Sequence, residues 1–156
     1  MSPRFHTLKI KDVNRETADA VSISFDVPED LKDDYHFSAG QYLTLKTLID
    51  GQEVRRSYSI CAGEQDGELR VAIKKIDGGQ FSTFANQNLA PGTEIEVMSP
   101  SGRFLLPETE GNPRTLVAVA AGSGITPILA MIRTVLAREP ETHFFLFYGN
   151  RSSQSI

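Results

Sequence analysis

The segment Val54–Ile60, which reads Val-Arg-Arg-Ser-Tyr-Ser-Ile, contains residue types that could bind a flat, phosphorylated ligand. Side chains alternate between the two faces of an extended backbone, so Arg56 and Tyr58 would share one face. Ser57 and Ser59 would share the other. The Arg56 guanidinium offers paired donors to phosphate oxygens, and the Tyr58 ring offers a face to an aromatic ring system. Arginine and tyrosine on an exposed strand are usually only solvated, so this segment alone does not establish a site.

A second candidate site comprises four consecutive residues, Gly79, Gln80, Phe81 and Ser82. Apolar residues from Phe81 to Leu89 fall near one helical face, which predicts a short helix after a glycine turn. The first turn of a helix has unpaired backbone N–H groups and the positive end of the dipole, which together attract anions. The Ser82 hydroxyl would add a donor. Two glycines ahead of a serine are also a common turn and cap, and that alternative stays open.

A third candidate site follows the apolar run Thr115–Ala121, which is typical of a strand buried on both faces. The next residues include Gly122, Ser123, Gly124 and Thr126. Apolar residues at helical spacing then continue to Arg138, namely Ile128, Leu129, Ile132, Val135 and Leu136. A strand, a tight glycine turn and a helix bring a pyrophosphate against backbone N–H groups. Pro127 stands where the usual dinucleotide fingerprint has its third glycine.

The elements that must position these residues predict a mainly β region followed by an α/β region. The predicted strands are two over residues 5–27, with a break near Asn14–Thr17, and further ones near 41–46, 54–60, 68–76 and 94–98. Asp50-Gly51 predicts a tight hairpin, and the whole set predicts an antiparallel barrel or sandwich. A second apolar strand at 144–148 would complete one β-α-β unit. We therefore predict a β domain over residues 1–106, a linker over 107–113 and an incomplete nucleotide-binding α/β domain over 114–156.

Composition excludes several classes of function. The 156 residues are 40% hydrophobic and 23% charged, as in an ordinary globular protein. A net charge of −4 with no basic run disfavours nucleic acid as a partner, including single strands on a barrel. No secretory signal or membrane-length apolar stretch is present, which predicts a cytoplasmic protein without a membrane partner. One cysteine and three scattered histidines predict no metal site in this chain.

Taken together, Arg56–Ser59, Gly79–Ser82 and Gly122–Pro127 resemble, in this order and spacing, the ferredoxin–NADP reductase superfamily. The resemblance implies a six-stranded antiparallel FAD-binding barrel followed by an NAD(P)H-binding α/β domain, with FAD and NADPH or NADH as cofactors. It also implies that Arg56 would contact the flavin pyrophosphate and that Tyr58 would stack near the isoalloxazine. Ser59 would hydrogen-bond near flavin N5.

The same resemblance assigns roles to the other candidate residues. The backbone of Ala72, Ile73 and Lys74 would run beside the cofactor, and Gly79–Ser82 would bind its phosphates. Gly122, Gly124 and Thr126 would position the nicotinamide nucleotide, with Thr126 near the flavin ring. Ser59, Tyr58 and Thr126 would therefore be the residues at the reacting centre. Arg151, just beyond the second α/β strand, could reach the 2′-phosphate of NADPH, although a solvated arginine is an equal alternative.

A closer resemblance is carried by residues 39–46, 54–61 and 148–151. They are similar to the reductase components of bacterial phenylacetyl-CoA ring-epoxidase complexes. Those reductases pass electrons from NADPH through FAD and a plant-type [2Fe–2S] centre to a di-iron oxygenase in phenylacetate degradation. With one cysteine, this chain cannot ligate such a centre, which would belong to a missing C-terminal part. The alternative is a noncatalytic flavin- or nucleotide-binding regulatory subunit on the same barrel.

Overall fold

The computed structural model describes residues 4–107 and 113–155. The described residues form eight strands and two α-helices. The strands are β1 Phe5–Thr17, β2 Ala20–Asp26, β3 Tyr42–Ile49, β4 Gln52–Ser59, β5 Leu69–Lys74, β6 Glu94–Met98, β7 Thr115–Ala121 and β8 His143–Gly149. The helices are α1 Gln80–Asn88 and α2 Ile125–Arg138, and the turn Gly122–Gly124 is a short 3-10 helix.

Strands β1 to β6 form one antiparallel sheet in the order β4-β3-β6-β1-β2-β5. The sheet curls until its two edges meet, where Ile60 forms a bridge with Val71 and the Cys61 N–H donates to the Arg70 carbonyl at 2.9 Å. Apolar residues alternate along the strands and fill the interior, among them Ile23, Leu43, Val71, Ile73 and Val97. The predicted six-stranded antiparallel barrel is confirmed.

The Asp50-Gly51 hairpin is also confirmed. Ile49 pairs with Gln52, so the loop between β3 and β4 has only two residues. Both have positive φ, +52° at Asp50 and +76° at Gly51. Loops of this kind match the right-handed twist of the flanking strands, and Asp-Gly tolerates them best. The hairpin fixes the register of β4, and with it the faces of Arg56 and Tyr58.

The predicted break near Asn14–Thr17 is wrong, because β1 continues to Thr17 and the turn comes at residues 18–19. Two register irregularities let this polar segment keep its pairing with β2. The Arg15 side chain also bonds to α1, outside the sheet. Its guanidinium donates to Asn86 Oδ1 at 2.9 Å and to the Asn86 carbonyl at 2.8 Å. That carbonyl lies in the last turn of α1, where helix acceptors need outside donors.

Strands β7 and β8 are parallel and are joined through α2, which confirms the predicted β-α-β unit. The prediction that Thr115–Ala121 is buried on both faces is wrong, because exposed side chains alternate with partly buried ones and with the buried Ala120. Within the described residues, α2 covers one face of this pair of strands, and the other face leaves four large apolar side chains exposed: Val117, Val119, Phe145 and Phe147. Leu129 and Leu136 of α2 are also exposed. Of the predicted linker, residues 108–112 lie outside the described part of the chain.

A turn from the barrel packs into the β-α-β unit. Ala39, just before β3, is buried in an apolar cluster with Ile128, Ala130 and Met131 of α2. At the neighbouring Gly40, φ is +103° and a Cβ would lie 1.8 Å from the Phe104 carbonyl oxygen. Only glycine fits this turn, because both the backbone angle and the space exclude a side chain. The two parts of the molecule therefore share a tightly packed joint at residues 39–40.

Candidate functional site

A cleft with a volume of about 1190 Å³ lies between the barrel and the β-α-β unit. Its barrel wall is formed by the end of β4, by β5 and by the segment after β5, with Ser57, Tyr58, Ser59, Ala72, Lys74, Lys75, Ile76, Asp77 and Asp19. Its other wall is formed by the carboxyl ends of β7 and β8, with Ala121, Gly122, Ser123, Thr126, Gly149, Asn150, Arg151 and Ser152. The structure thus brings together residues of the first and third candidate sites, which are about sixty residues apart in sequence.

Tyr58 is the aromatic side chain in this cleft. Its ring lies 5.7 Å from that of Phe81, centroid to centroid, with the planes tilted by 39°. Phe81 is fully buried in α1, so it supports the Tyr58 ring from the barrel interior. Burial raises the pKa of Tyr58 to about 12, although the nearby Arg56 guanidinium acts in the opposite direction. The phenol is therefore neutral at physiological pH and can present both a ring face and an O–H donor.

Arg56 and Ser57 take opposite faces of β4, as the alternation predicts. The Ser57 hydroxyl forms a hydrogen bond of 2.9 Å with the Thr44 hydroxyl on the outer face. Arg56 is exposed, and its Nη1 donates to the Arg55 carbonyl at 2.6 Å. Arg56 is not among the residues that line the cleft, but it is close enough to Tyr58 to affect the pKa of that phenol. Its binding to a pyrophosphate stays a prediction.

Strand β5 divides its side chains between the cleft and the core. Ala72 and Lys74 line the cleft, and the Lys74 ammonium lies 3.8 Å from the Asp19 carboxylate. Ile73 points into the barrel interior, and its carbonyl accepts a hydrogen bond of 3.1 Å from Asn86 Nδ2. A ligand in the cleft would therefore meet the side chains of Ala72 and Lys74 rather than that of Ile73.

The start of α1 faces elsewhere. Gly79 and Gln80 line a second, smaller cleft of about 560 Å³, together with Leu48, Ile49 and Asp50 near the β3–β4 hairpin. The hydroxyl of Ser82 is used inside the turn, because it accepts from the Ile76 N–H at 3.1 Å and donates to the Gly79 carbonyl at 3.4 Å. What this segment can offer an anion is therefore its first-turn backbone N–H groups rather than the Ser82 side chain.

The glycine turn after β7 faces open space. A Cβ built on Gly122, Gly124 or Gly149 would meet no atom within 4 Å, so a ligand could approach the backbone closely at all three. The turn is fixed from both sides, because the Thr126 hydroxyl donates to the Ser123 carbonyl at 3.0 Å and the Tyr148 phenol donates to the Gly122 carbonyl at 3.0 Å. The turn therefore combines accessible backbone with a fixed conformation, which is what a pyrophosphate held against backbone N–H groups requires.

Sequence reasoning missed Asn150, which lines the cleft immediately after β8. Its amide Oδ1 and Nδ2 are both shielded from solvent and have no hydrogen-bond partner among the described residues. Buried amides are nearly always hydrogen-bonded. Here, within the described part of the chain, the Oδ1 atom lacks a donor and the Nδ2 atom lacks an acceptor. Its place at the carboxyl end of a predicted parallel strand, where such sheets bind ligands, was the available signal.

Two further searches covered only the described residues. None of the helices found there is long and apolar enough to cross a membrane. The same residues contain no group of three or more histidine, cysteine, aspartate or glutamate side chains placed to hold a metal ion.

Two family models match the chain, and together they cover most of it. A model described as oxidoreductase FAD-binding domain matches residues 7–105. A model described as oxidoreductase NAD-binding domain matches residues 118–156. The boundary between the two matches falls in the segment that joins β6 to β7.

Individual relatives agree with these models. One subunit of the 1,2-phenylacetyl-CoA epoxidase from Escherichia coli K12 is 52% identical over 153 residues, which are 97% of this chain and 43% of that protein. A ferredoxin NADP+ reductase from Neisseria gonorrhoeae, solved with bound FAD and NADP, superimposes with a TM-score of 0.80 at 25% identity, covering 97% of this chain and 60% of that one. Phthalate dioxygenase reductase, described as modular for electron transfer from pyridine nucleotides to [2Fe-2S], gives a TM-score of 0.77 at 28% identity, covering 97% and 45%. The chain spans less than half the length of the epoxidase subunit.

Proposed function

We propose, since this chain belongs to the ferredoxin–NADP reductase-like oxidoreductases that join an FAD-binding to an NAD-binding domain, that it is the flavin-reducing part of an oxygenase reductase. In this proposal FAD takes two electrons from NADPH or NADH and passes them through a [2Fe–2S] centre outside this chain. The acceptor would be the di-iron oxygenase component of a multicomponent complex, in phenylacetate degradation. The 52% identity to a phenylacetyl-CoA epoxidase subunit supports the acceptor class.

The observation that carries the proposal is the cleft, whose two walls differ in chemistry. One wall presents the Tyr58 ring and the Ser59 side chain. The other presents Thr126 and a glycine backbone that is open to a ligand. A flavin on the first wall and a nicotinamide on the second would meet inside the cleft. A single-ligand site would not need both walls.

FAD, when bound, supplies the redox chemistry, because it accepts electrons in a pair and releases them one at a time. The residues of this chain bind and orient. Tyr58 would hold the ring by stacking, and the Ser59 hydroxyl would hold a proton near flavin N5. Arg56 would hold the pyrophosphate with its paired donors, assisted by the backbone N–H groups at the start of α1. Ala72 and Lys74 would line the edge of the flavin.

On the other wall, Gly122, Ser123, Gly124 and Thr126 would hold the nicotinamide nucleotide, with Thr126 nearest the flavin. Arg151 could pair with the 2′-phosphate of NADPH, which would favour NADPH over NADH. Asn150 joins this set through its unpaired amide, which could bond to a donor and an acceptor on the nucleotide. Glycines leave the backbone of this wall accessible, as expected where a pyrophosphate would lie against a glycine turn.

The test begins with the colour of the purified protein. We expect a yellow flavoprotein whose visible absorbance bleaches on anaerobic addition of NADPH or NADH, and recovers when a one-electron acceptor is added. A protein that binds FAD but is not bleached by either nucleotide would support the alternative, a noncatalytic regulatory subunit. A protein that does not bind FAD would contradict the proposal and would leave only a regulatory subunit that binds a nucleotide.

The flavin wall is tested by two substitutions with matched controls. Tyr58→Ala should weaken FAD binding by about 1–3 kcal/mol through lost stacking, and Arg56→Ala by a similar amount through a lost charge-assisted contact. Tyr58→Phe keeps the ring and should bind FAD nearly as well as the unchanged protein. Arg55→Ala removes a neighbouring arginine that is paired with Glu53 instead, and should have little effect. Equal FAD affinity in all four variants, measured by titration, would show that FAD does not bind at Tyr58 and Arg56.

A further inference from the structure

A loop of the barrel, Gly63–Asp66, bonds to the side of α2 outside the cleft. We call these four residues the clamp loop. Glu64 makes three of its contacts. Its backbone N–H donates to the Thr134 hydroxyl at 3.1 Å, and its Oε2 accepts from Arg138. Its Oε1 accepts from the Ala39 N–H at 2.7 Å. One carboxylate therefore bonds to the barrel with one oxygen and to the helix with the other.

Neighbouring residues of the clamp loop reinforce this attachment. Gln65 Nε2 donates to the Arg133 carbonyl at 3.0 Å, and Arg133 Nε lies 2.8 Å from Asp66 Oδ2. The Glu64 side chain is only 13% exposed, whereas Arg138 is 58% exposed. Thr134 is fully buried. The two carboxylate bonds of Glu64 are thus charge-assisted, and the one to the Ala39 N–H is partly buried, whereas the one to Arg138 is open to water on the arginine side.

The clamp loop connects directly to both walls of the cleft. Glu64 follows Ser59, the last residue of β4, by five positions in the chain. Thr134 and Arg138 lie on the helix whose first turn contains Thr126. With a rise of 1.5 Å per residue, Thr126 is about 12 Å from Thr134 along a rigid helix. A tilt of α2 at the clamp would therefore displace Thr126 relative to Tyr58 and Ser59.

From these contacts we infer that Glu64 is a positioning residue: it sets the separation of the two cleft walls, and through it the alignment of the nicotinamide with the flavin. The inference rests on the proposed function. Redox partners must approach to about 3–3.5 Å, and a misplacement of about 1 Å can cost about a hundredfold in rate. A residue that fixes α2 against the barrel therefore affects the rate without touching either cofactor.

The deciding variant is Glu64→Gln, which keeps the size of the side chain and an acceptor for the Ala39 N–H but removes the charge facing Arg138. The matched control is Glu29→Gln, whose carboxylate is 86% exposed and pairs with Lys32 rather than with α2. Three measurements are compared: hydrogen exchange of the cofactor-free protein, FAD affinity by titration, and the rate of flavin reduction at saturating NADPH.

We expect Glu64→Gln to speed amide exchange in the last turns of α2, near Thr134 and Arg138, by about tenfold or more, with exchange in β1 and β2 unchanged. FAD affinity should stay within about twofold, and flavin reduction should slow by about tenfold or more. Arg138→Gln should reproduce both effects. The double variant should be no slower than the slower single variant, because both substitutions remove one interaction. Glu29→Gln should match the unchanged protein in every measurement.

Three outcomes would overturn the inference. Unchanged exchange in α2 would show that Glu64 does not hold the helix. Faster exchange with an unchanged reduction rate would show that the helix position does not matter for the reaction. Faster exchange throughout the barrel together with lost FAD affinity would show a role in folding only. If neither NADPH nor NADH bleaches the unchanged protein, the proposed function fails first and the positioning role fails with it.

Discussion

In the barrel, Ile23, Val71 and Ile73 are completely buried, whereas in the β-α-β unit Val119 leaves 79% of its surface exposed. The reason is geometric. A curled sheet encloses its own interior, so six strands with alternating apolar residues complete a core without other elements. A parallel pair of strands has two faces, and one helix covers only one of them. Similar apolar strands therefore contribute very different amounts of stability in the two regions.

The comparison also separates the candidate site residues into two kinds. The barrel wall of the cleft uses side chains that a closed core supports from behind, as Phe81 supports Tyr58. The other wall uses open backbone at Gly122, Gly124 and Gly149. A rigid ring platform suits a flat ring system, and an accessible backbone suits a phosphate. The closed, well-packed region therefore offers side chains to a ligand, and the open region offers backbone.

The joint offers the strongest way to break this comparison, because it belongs to both regions. Gly40→Ala would place a Cβ 1.8 Å from the Phe104 carbonyl oxygen at a φ of +103°. Backbone strain and overpacking together predict a loss of about 2–6 kcal/mol in the free energy of unfolding. Thermal unfolding measures this, with Gly51→Ala as the control, since a Cβ there meets no atom within 4 Å. Equal losses in the two variants would mean that the joint can open at little cost.

A pair of truncations sharpens the comparison directly. Ile23→Ala should cost about 2–5 kcal/mol, because it leaves a cavity in a closed core. Val119→Ala should cost about 1 kcal/mol or less, because the side chain is already exposed. Denaturant unfolding of both variants under identical conditions gives the difference. Similar costs would show that the face of β7 is covered in solution.

The smallest expected effect concerns acid. Arg70 donates to both carboxylate oxygens of Asp12, at 2.8 and 2.7 Å, and this hydrogen bonding lowers the pKa of Asp12. In the β-α-β unit, Arg114 lowers the pKa of Glu139 in the same way. A carboxyl group with a lowered pKa stabilises the fold above its unfolded pKa of about 4, and this contribution is lost as the pH falls through the folded pKa. Each region therefore has at least one such pair among the described residues.

Asp12→Asn should make the loss of stability below about pH 4 shallower, while leaving the contribution of Glu139 to the acid dependence unchanged. Urea unfolding at several pH values is the measurement, and the equivalent Glu139→Gln variant provides the comparison between regions. A steeper acid dependence in Asp12→Asn would contradict the direction of the shift.

Much of the fold could be predicted because local chemistry decides it. Asp50-Gly51 admits a two-residue hairpin wherever it occurs between two strands, and the alternation of β3 and β4 then fixes their faces. The extension of β1 to Thr17 could not be predicted, because Arg15 is paired by Asn86, which is 71 residues away. The exposure of Val117 and Val119 depends on which elements cover β7, and an apolar run gives no information about that.

The candidate site divides in the same way. The pattern of Tyr58, Ser59 and Thr126 was sufficient to select residues that the structure brings to one cleft. Gly79 and Gln80 line a different cleft, because the direction of α1 depends on how Phe81 and Ala85 pack in the barrel. Glu64 belongs to no motif, and Asn150 lies in the segment 148–151 without having been selected as a site residue. Their importance comes from contacts made, or left unmade, after the chain has folded.

The bridge that closes the barrel has a consequence for chemical labelling. Cys61 lies at this seam, where its thiol contacts the Arg70 carbonyl and where burial raises the pKa of the thiol to about 11. A thiol held neutral and covered reacts with alkylating reagents only when the seam parts. The alkylation rate of this one native cysteine therefore reports how often β4 and β5 separate, without any introduced label.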